Sequence, residues 1–92
     1  MTHTEEIVRA AAVLVFKRGK TTFARADIKD QIGITSHEWD NGYTSLFQGM
    51  REDHPGGAPK VARRFRGLFR RVGPGTYAVT KYGRSLLKDF VD

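Results

Sequence analysis

The chain has no cysteine. That excludes disulfide frameworks, thiolate metal sites and cysteine nucleophiles, and it fits a reducing compartment. No stretch approaches the ~20 consecutive apolar residues that a membrane helix needs. The apolar run near the start follows Glu5 and Glu6 rather than a basic leader, and no small-residue cleavage site follows it, so it does not read as a signal peptide. The three histidines, His3, His37 and His54, lack ligand spacing, and His37-Glu38 is not followed by a second histidine at the offset a zinc site requires. Gly19-Lys20-Thr21 and Gly56 to Lys60 both lack the G-x-x-x-x-G-K-[ST] frame of a phosphate-binding loop. Asp40, Glu52 and Asp53 make no nuclease framework. The expectation is a protein without enzymatic activity, cofactor, metal or small-molecule ligand, outside the membrane and cytoplasmic.

Acidic residues are also in short supply. There are 16 lysines and arginines against 10 aspartates and glutamates, a net charge of +6 in 92 residues. That length makes a single domain, residues 1–92. The charge favours a polyanionic partner. Its density peaks between Lys60 and Arg71, where Lys60, Arg63, Arg64, Arg66, Arg70 and Arg71 are six basic residues in twelve. Gly73-Pro74-Gly75 then forms a turn, so Leu68–Val72 and Thr76–Thr80 are expected to pair as a hairpin. Guanidinium groups along a hairpin can bind phosphate oxygens bidentately. Phe65, Phe69 and Tyr77 alternate with these arginines. They are expected in the core, although stacking on unpaired bases is the competing use of such rings.

The first helix is expected over about Thr4 to Arg18, with Thr2 and Glu5 as a capping box, Thr4 as a rival cap and Gly19 as its stop. Its apolar arc is wide: Val8, Ala12, Val15 and Phe16 add to the stripe of Ile7, Ala11 and Leu14. A second subunit is the expected cover for part of that arc, with Leu87 and Phe90 of the last helix beside it. Thr21-Thr22-Phe23 is a candidate strand edge. A second helix spans about Arg25 to Ile32 and stops at Gly33. Thr35 and Glu38 form another capping box, so a third helix is expected from near Ser36, running unbroken through Asn41-Gly42. Trp39, Tyr43, Leu46, Phe47 and Met50 form its apolar face. His37, Asn41, Thr44, Ser45, Gln48 and Arg51 lie opposite. Pro59 and Gly67 bracket a short extra helix, Lys60 to Arg66, and Thr80 caps a last helix in which Tyr82, Leu86 and Phe90 recur.

The segment ADIKDQIGITSHEW (26–39) and the segment LFRRVGPGTYAVTKYG (68–83) together resemble the winged helix-turn-helix family of small archaeal and bacterial proteins. The resemblance implies an α+β fold: a three-helix core, a β-hairpin wing and a C-terminal helix. It also implies that the third helix enters the major groove of double-stranded DNA. Asn41 and Gln48 are then the best adenine readers, with Thr44 and Ser45 beside them. The long HPGGAPKVARRFRG segment (54–67) between the third helix and the wing departs from the short link of many relatives; the exposed amides of HPGG at 54–57 suit either an anion nest or a spacer. The expected role is a nucleoid-associated transcription regulator or small chromosomal protein, homodimeric. The alternatives are an RNA- or ribosome-associated winged helix, or a specificity or interaction module of a larger defence or restriction system.

Overall fold

The computed structural model describes residues 2–52 and 61–91. They form four α-helices and one two-stranded antiparallel hairpin, an α+β arrangement. Lys60 and the HPGG loop lie outside the described residues.

Helix α1 (His3–Ala12) starts where the sequence offers a cap: the Thr2 Oγ1 accepts the Glu5 N–H at 3.2 Å. It continues as a π-helical turn, Val13–Lys17, before Gly19 at φ 66° turns the chain away. Ile7, Val8, Ala10, Ala11, Ala12, Leu14 and Val15 are all buried. Their cover comes from the same chain, because α1 packs against each of the other three helices. The wide apolar arc therefore needs no second subunit. Val8, Ala12 and Leu87, expected at a dimer contact, are fully buried in the single chain.

Helix α2 (Arg25–Ile32) matches its expected bounds. The Asp27 carboxylate accepts the Ala24 N–H at 2.7 Å, and Gly33 closes the helix at φ 88°, a left-handed conformation that costs glycine nothing. Phe23, just before it, exchanges backbone hydrogen bonds with Tyr77 in both directions, at 2.9 and 2.8 Å. The expected strand edge is thus a single bridge.

Helix α3 (Asn41–Gly49) begins five residues later than expected. The Thr35–Glu38 box is present: the Thr35 N–H donates to Glu38 at 3.0 Å and the Glu38 N–H to Thr35 at 3.2 Å. It closes one turn and no helix follows from it. Asp40 supplies a second cap, its Oδ1 accepting from the Gly42 and Tyr43 amides at 2.9 and 3.2 Å. Asp40→Ala is expected to lower stability by about 1 kcal/mol, the usual worth of an N-cap, while Glu38→Ala, whose carboxylate serves only the preceding turn, changes it less. Equal unfolding midpoints for the two variants would show that the helix does not rely on the Asp40 cap. Tyr43 ties α3 to α1, its hydroxyl donating to Glu6 Oε2 at 3.0 Å. Burial, and then the Glu6 hydrogen bond and charge, raise the Tyr43 phenol pKa and keep it a neutral donor.

The expected helix over Lys60–Arg66 reduces to a 3₁₀ turn, Arg63–Phe65. Strands β1 (Phe69–Gly73) and β2 (Thr76–Val79) follow, joined at Pro74-Gly75. Phe69 faces Val79, Arg70 faces Ala78 and Arg71 faces Tyr77; the register then slips, so that Gly73 faces Thr76 and Val72 is the extra residue of a bulge. Phe23, Phe47, Phe69 and Tyr77 interlock beneath the hairpin, with Phe47 stacked on Phe69 and edge-on to Tyr77. These rings, with Phe65, belong to the core. Helix α4 (Lys81–Leu87) is capped by Thr80, as expected, and folds back onto α1. Tyr82 is half-exposed, its hydroxyl donating to the Arg64 carbonyl at 2.7 Å.

Candidate nucleic-acid interface

The hairpin leaves the core after Phe69. Arg70, Arg71 and Val72 are consecutive and all exposed, so neither face of β1 is covered there. Neighbouring strand residues point to opposite faces. Arg70 and Arg71 therefore flank the hairpin on its two sides. Arg71 is steadied by its own chain, its Nε donating to the Gly73 carbonyl at 3.2 Å.

The other arginines of the basic run form a second group. Arg64 lies 4.4 Å from the centre of the Phe65 ring and 5.8 Å from that of Phe90, so it rests on the C-terminal side of the molecule. Arg66 donates from Nε to the Val61 carbonyl at 2.9 Å. Arg63 is exposed on the same turn. Gly67, at φ 77°, redirects the chain between the two groups. The five described basic residues of the run are thus divided into two groups, and Lys60 lies outside the described residues. Among the described residues, no carboxylate comes within 4 Å of Arg63, Arg64, Arg66, Arg70 or Arg71. No ion pair among the described residues compensates their charge.

On α3, Asn41 and Ser45 are exposed and one turn apart, and Gln48 continues their line half-buried. Thr44 is half-buried too, and its Oγ1 accepts the Trp39 indole N–H at 2.9 Å. Gln48 Oε1 accepts from Arg51 Nη1, and the Arg51 guanidinium lies 5.6 Å over the Tyr77 ring. Arg51 is past the helix end, in a parallel bridge to Phe69. His37 is exposed, but on the turn before the helix and not on its face. The structure therefore gathers Asn41, Thr44, Ser45, Gln48 and Arg51, and separates His37.

Trp39 is the main correction. Extending helical periodicity back through residue 39 put it at the head of the buried stripe. With the helix starting at Asn41, Trp39 instead lies half-buried, stacked on Tyr43 at 5.0 Å and bonded to Thr44. It lines an open cleft of about 370 Å³ together with Ala24, Arg25, Ala26, Lys29, Thr44 and Gly75. This cleft joins the start of α2, the start of α3 and the hairpin turn. Arg25 and Lys29 were not among the expected contacts. Their spacing, i and i+4 at the head of a helix-turn-helix segment, was the available signal. Lys29 Nζ donates to Ser36 Oγ at 3.4 Å.

A second cleft of about 410 Å³, lined by Glu6, Arg9, Ala10, Val13, Gln31 and Ile32, holds none of these side chains. Arg9 Nε is buried there without an acceptor among the described residues, and its guanidinium lies 5.7 Å over the Phe90 ring. Attraction to the ring offsets part of that cost. Among the described residues no three potential metal ligands cluster, and no helix is long and apolar enough to cross a membrane. Comparison of the chain with family models, with curated proteins and with solved structures finds no match in any of the three.

Proposed function

We propose that this protein is a winged-helix binder of double-stranded DNA, acting as a transcription regulator or small chromosomal protein in the cytoplasm, on the nucleoid. The observation that carries the reading is the cleft where α2, α3 and the hairpin turn converge, with Arg25 and Lys29 on its wall and Arg70 and Arg71 on the adjoining hairpin. A polar helix face beside a projecting basic hairpin is the arrangement that major-groove insertion with flanking phosphate contacts requires. Arg63, Arg64, Arg66, Arg70 and Arg71 form no ion pair among the described residues, so binding a polyanion disrupts none there. A homodimer remains part of the proposal, through surfaces other than the buried face of α1.

The test is equilibrium binding to duplex DNA, single strands and structured RNA across a salt series. If about five phosphates are neutralised, log K for duplex falls with log salt at a slope of about −4.5. Arg70→Ala with Arg71→Ala is expected to weaken all duplex sequences alike and to bring the slope to about −2.7, because phosphate contacts position without specifying. A slope near zero defeats the proposal. A strong preference for structured RNA replaces it with the RNA-associated reading.

A further inference from the structure

The polar strip of α3 is already polarised before any ligand arrives. A free glutamine offers a donor and an acceptor side by side, which matches the adenine edge. Gln48 is not free: its Oε1 accepts from Arg51 Nη1. The opposite amide orientation would set N–H₂ against a guanidinium N–H, donor against donor, so Arg51 fixes which end of the amide faces it. The contact takes one of the two Oε1 lone pairs, sets the guanidinium charge beside the oxygen, and leaves both Nε2 protons to a partner. One turn earlier, the Thr44 Oγ1 accepts the Trp39 indole N–H at 2.9 Å, which directs the Thr44 proton away from Trp39. At i and i+4, two independent contacts thus each take up one acceptor position and leave the donor protons free.

In the major groove guanine shows two adjacent acceptors, N7 and O6, whereas adenine shows one acceptor and one donor. We infer that α3 reads guanine, not adenine, at the base pair facing Gln48, and that Arg51 is a positioning residue that sets this choice by fixing the amide orientation and placing a positive charge beside its oxygen, which favours the two guanine acceptors over the adenine N–H₂. The inference rests on the duplex-binding proposal and deepens it. It also reverses the adenine preference expected for Gln48 from its residue type alone.

The experiment is competition binding with duplexes differing at single base pairs, with non-specific duplex affinity measured in parallel. The wild-type chain is expected to favour guanine over adenine about tenfold at one position, and to lose that preference when 7-deazaguanine removes the N7 acceptor. Arg51→Met, which keeps the stem and releases the amide, is expected to move the preference to adenine. Gln48→Met is expected to abolish both preferences while non-specific binding persists. Adenine favoured by the wild type overturns the inference. So does a guanine preference that survives in Gln48→Met, which would make another residue the reader, or one unchanged in Arg51→Met. Salt-dependent duplex binding without any base preference overturns it while leaving the duplex proposal standing. Absence of duplex binding at low salt instead removes the proposal beneath it. The 7-deazaguanine arm uses the unaltered protein, so the inference stays testable if a variant fails to fold.

Discussion

Phe47→Ala is expected to destabilise the fold by about 3–5 kcal/mol, among the largest effects of any single truncation here. Phe47 is fully buried on α3, and its partners come from the hairpin: Phe69 lies 5.3 Å away in a stacked arrangement and Tyr77 4.9 Å away edge-on. Removing the ring forfeits its transfer energy and opens a void between two elements that have no other aromatic link of this kind. A domain of this size has about 5–15 kcal/mol in total, so the variant gives up a large share of it. The midpoint of urea unfolding should fall sharply with little change in slope. Phe47→Leu, which refills most of the volume, should cost markedly less. The consequence for function is geometric. Phe47 holds the polar helix face and the basic hairpin at a fixed spacing, so in Phe47→Ala duplex affinity should drop with the folded fraction and then further. An alanine variant within about 1 kcal/mol of the wild type would show that the site collapses around the loss.

What the sequence made readable follows the range of the forces involved. Local backbone demands were visible. Gly33 ends α2, Thr2 and Thr80 cap α1 and α4, and Pro74-Gly75 makes the hairpin turn, because each needs only a few neighbouring residues. The start of α3 was not visible. Thr35-x-x-Glu38 and Asp40 are both good caps on local grounds, and both are formed. The choice between one turn and one helix is made by Trp39, whose indole bonds forward to Thr44 and stacks on Tyr43. That is a contact between side chains, which periodicity does not carry. The same holds for the interface. The exposure of Arg70 and Arg71 follows from the hairpin, which the turn residues announce. The division of the basic run, with Arg64 drawn onto Phe65 and Phe90, depends on α4 folding back, which no local signal encodes. The Gln48–Arg51 contact is likewise a choice of rotamers.

Gly83→Ala is expected to be as damaging as loss of a core ring, although it adds a single methyl group to a helix. On propensity alone the change should stabilise a helix by about 1 kcal/mol. The surroundings reverse that sign. A Cβ at residue 83 would lie 2.2 Å from the Leu68 carbonyl oxygen and 2.9 Å from its carbon, both backbone atoms. Neither side can yield cheaply. The Leu68 carbonyl accepts the Thr80 N–H at 2.9 Å, and the Thr80 hydroxyl donates to the Gly67 carbonyl at 2.6 Å while accepting the Gly83 N–H at 2.9 Å. Moving α4 away from Leu68 therefore breaks the bonds of Thr80 to Leu68 and Gly67, and each hydrogen bond lost costs about 1 kcal/mol more. Overpacking against flexible side chains costs about 1–3 kcal/mol, and this contact is against fixed backbone, so a loss of about 3 kcal/mol or more is expected. Ser85→Ala, exposed on the same helix, is the control: its midpoint should hold or rise slightly. Thr80→Ala should reproduce part of the Gly83→Ala defect, about 1–2 kcal/mol, through loss of the cap alone. If Gly83→Ala unfolds at the wild-type midpoint, α4 is not seated on the Leu68 backbone, and the close approach that explains Thr80-x-x-Gly83 is wrong.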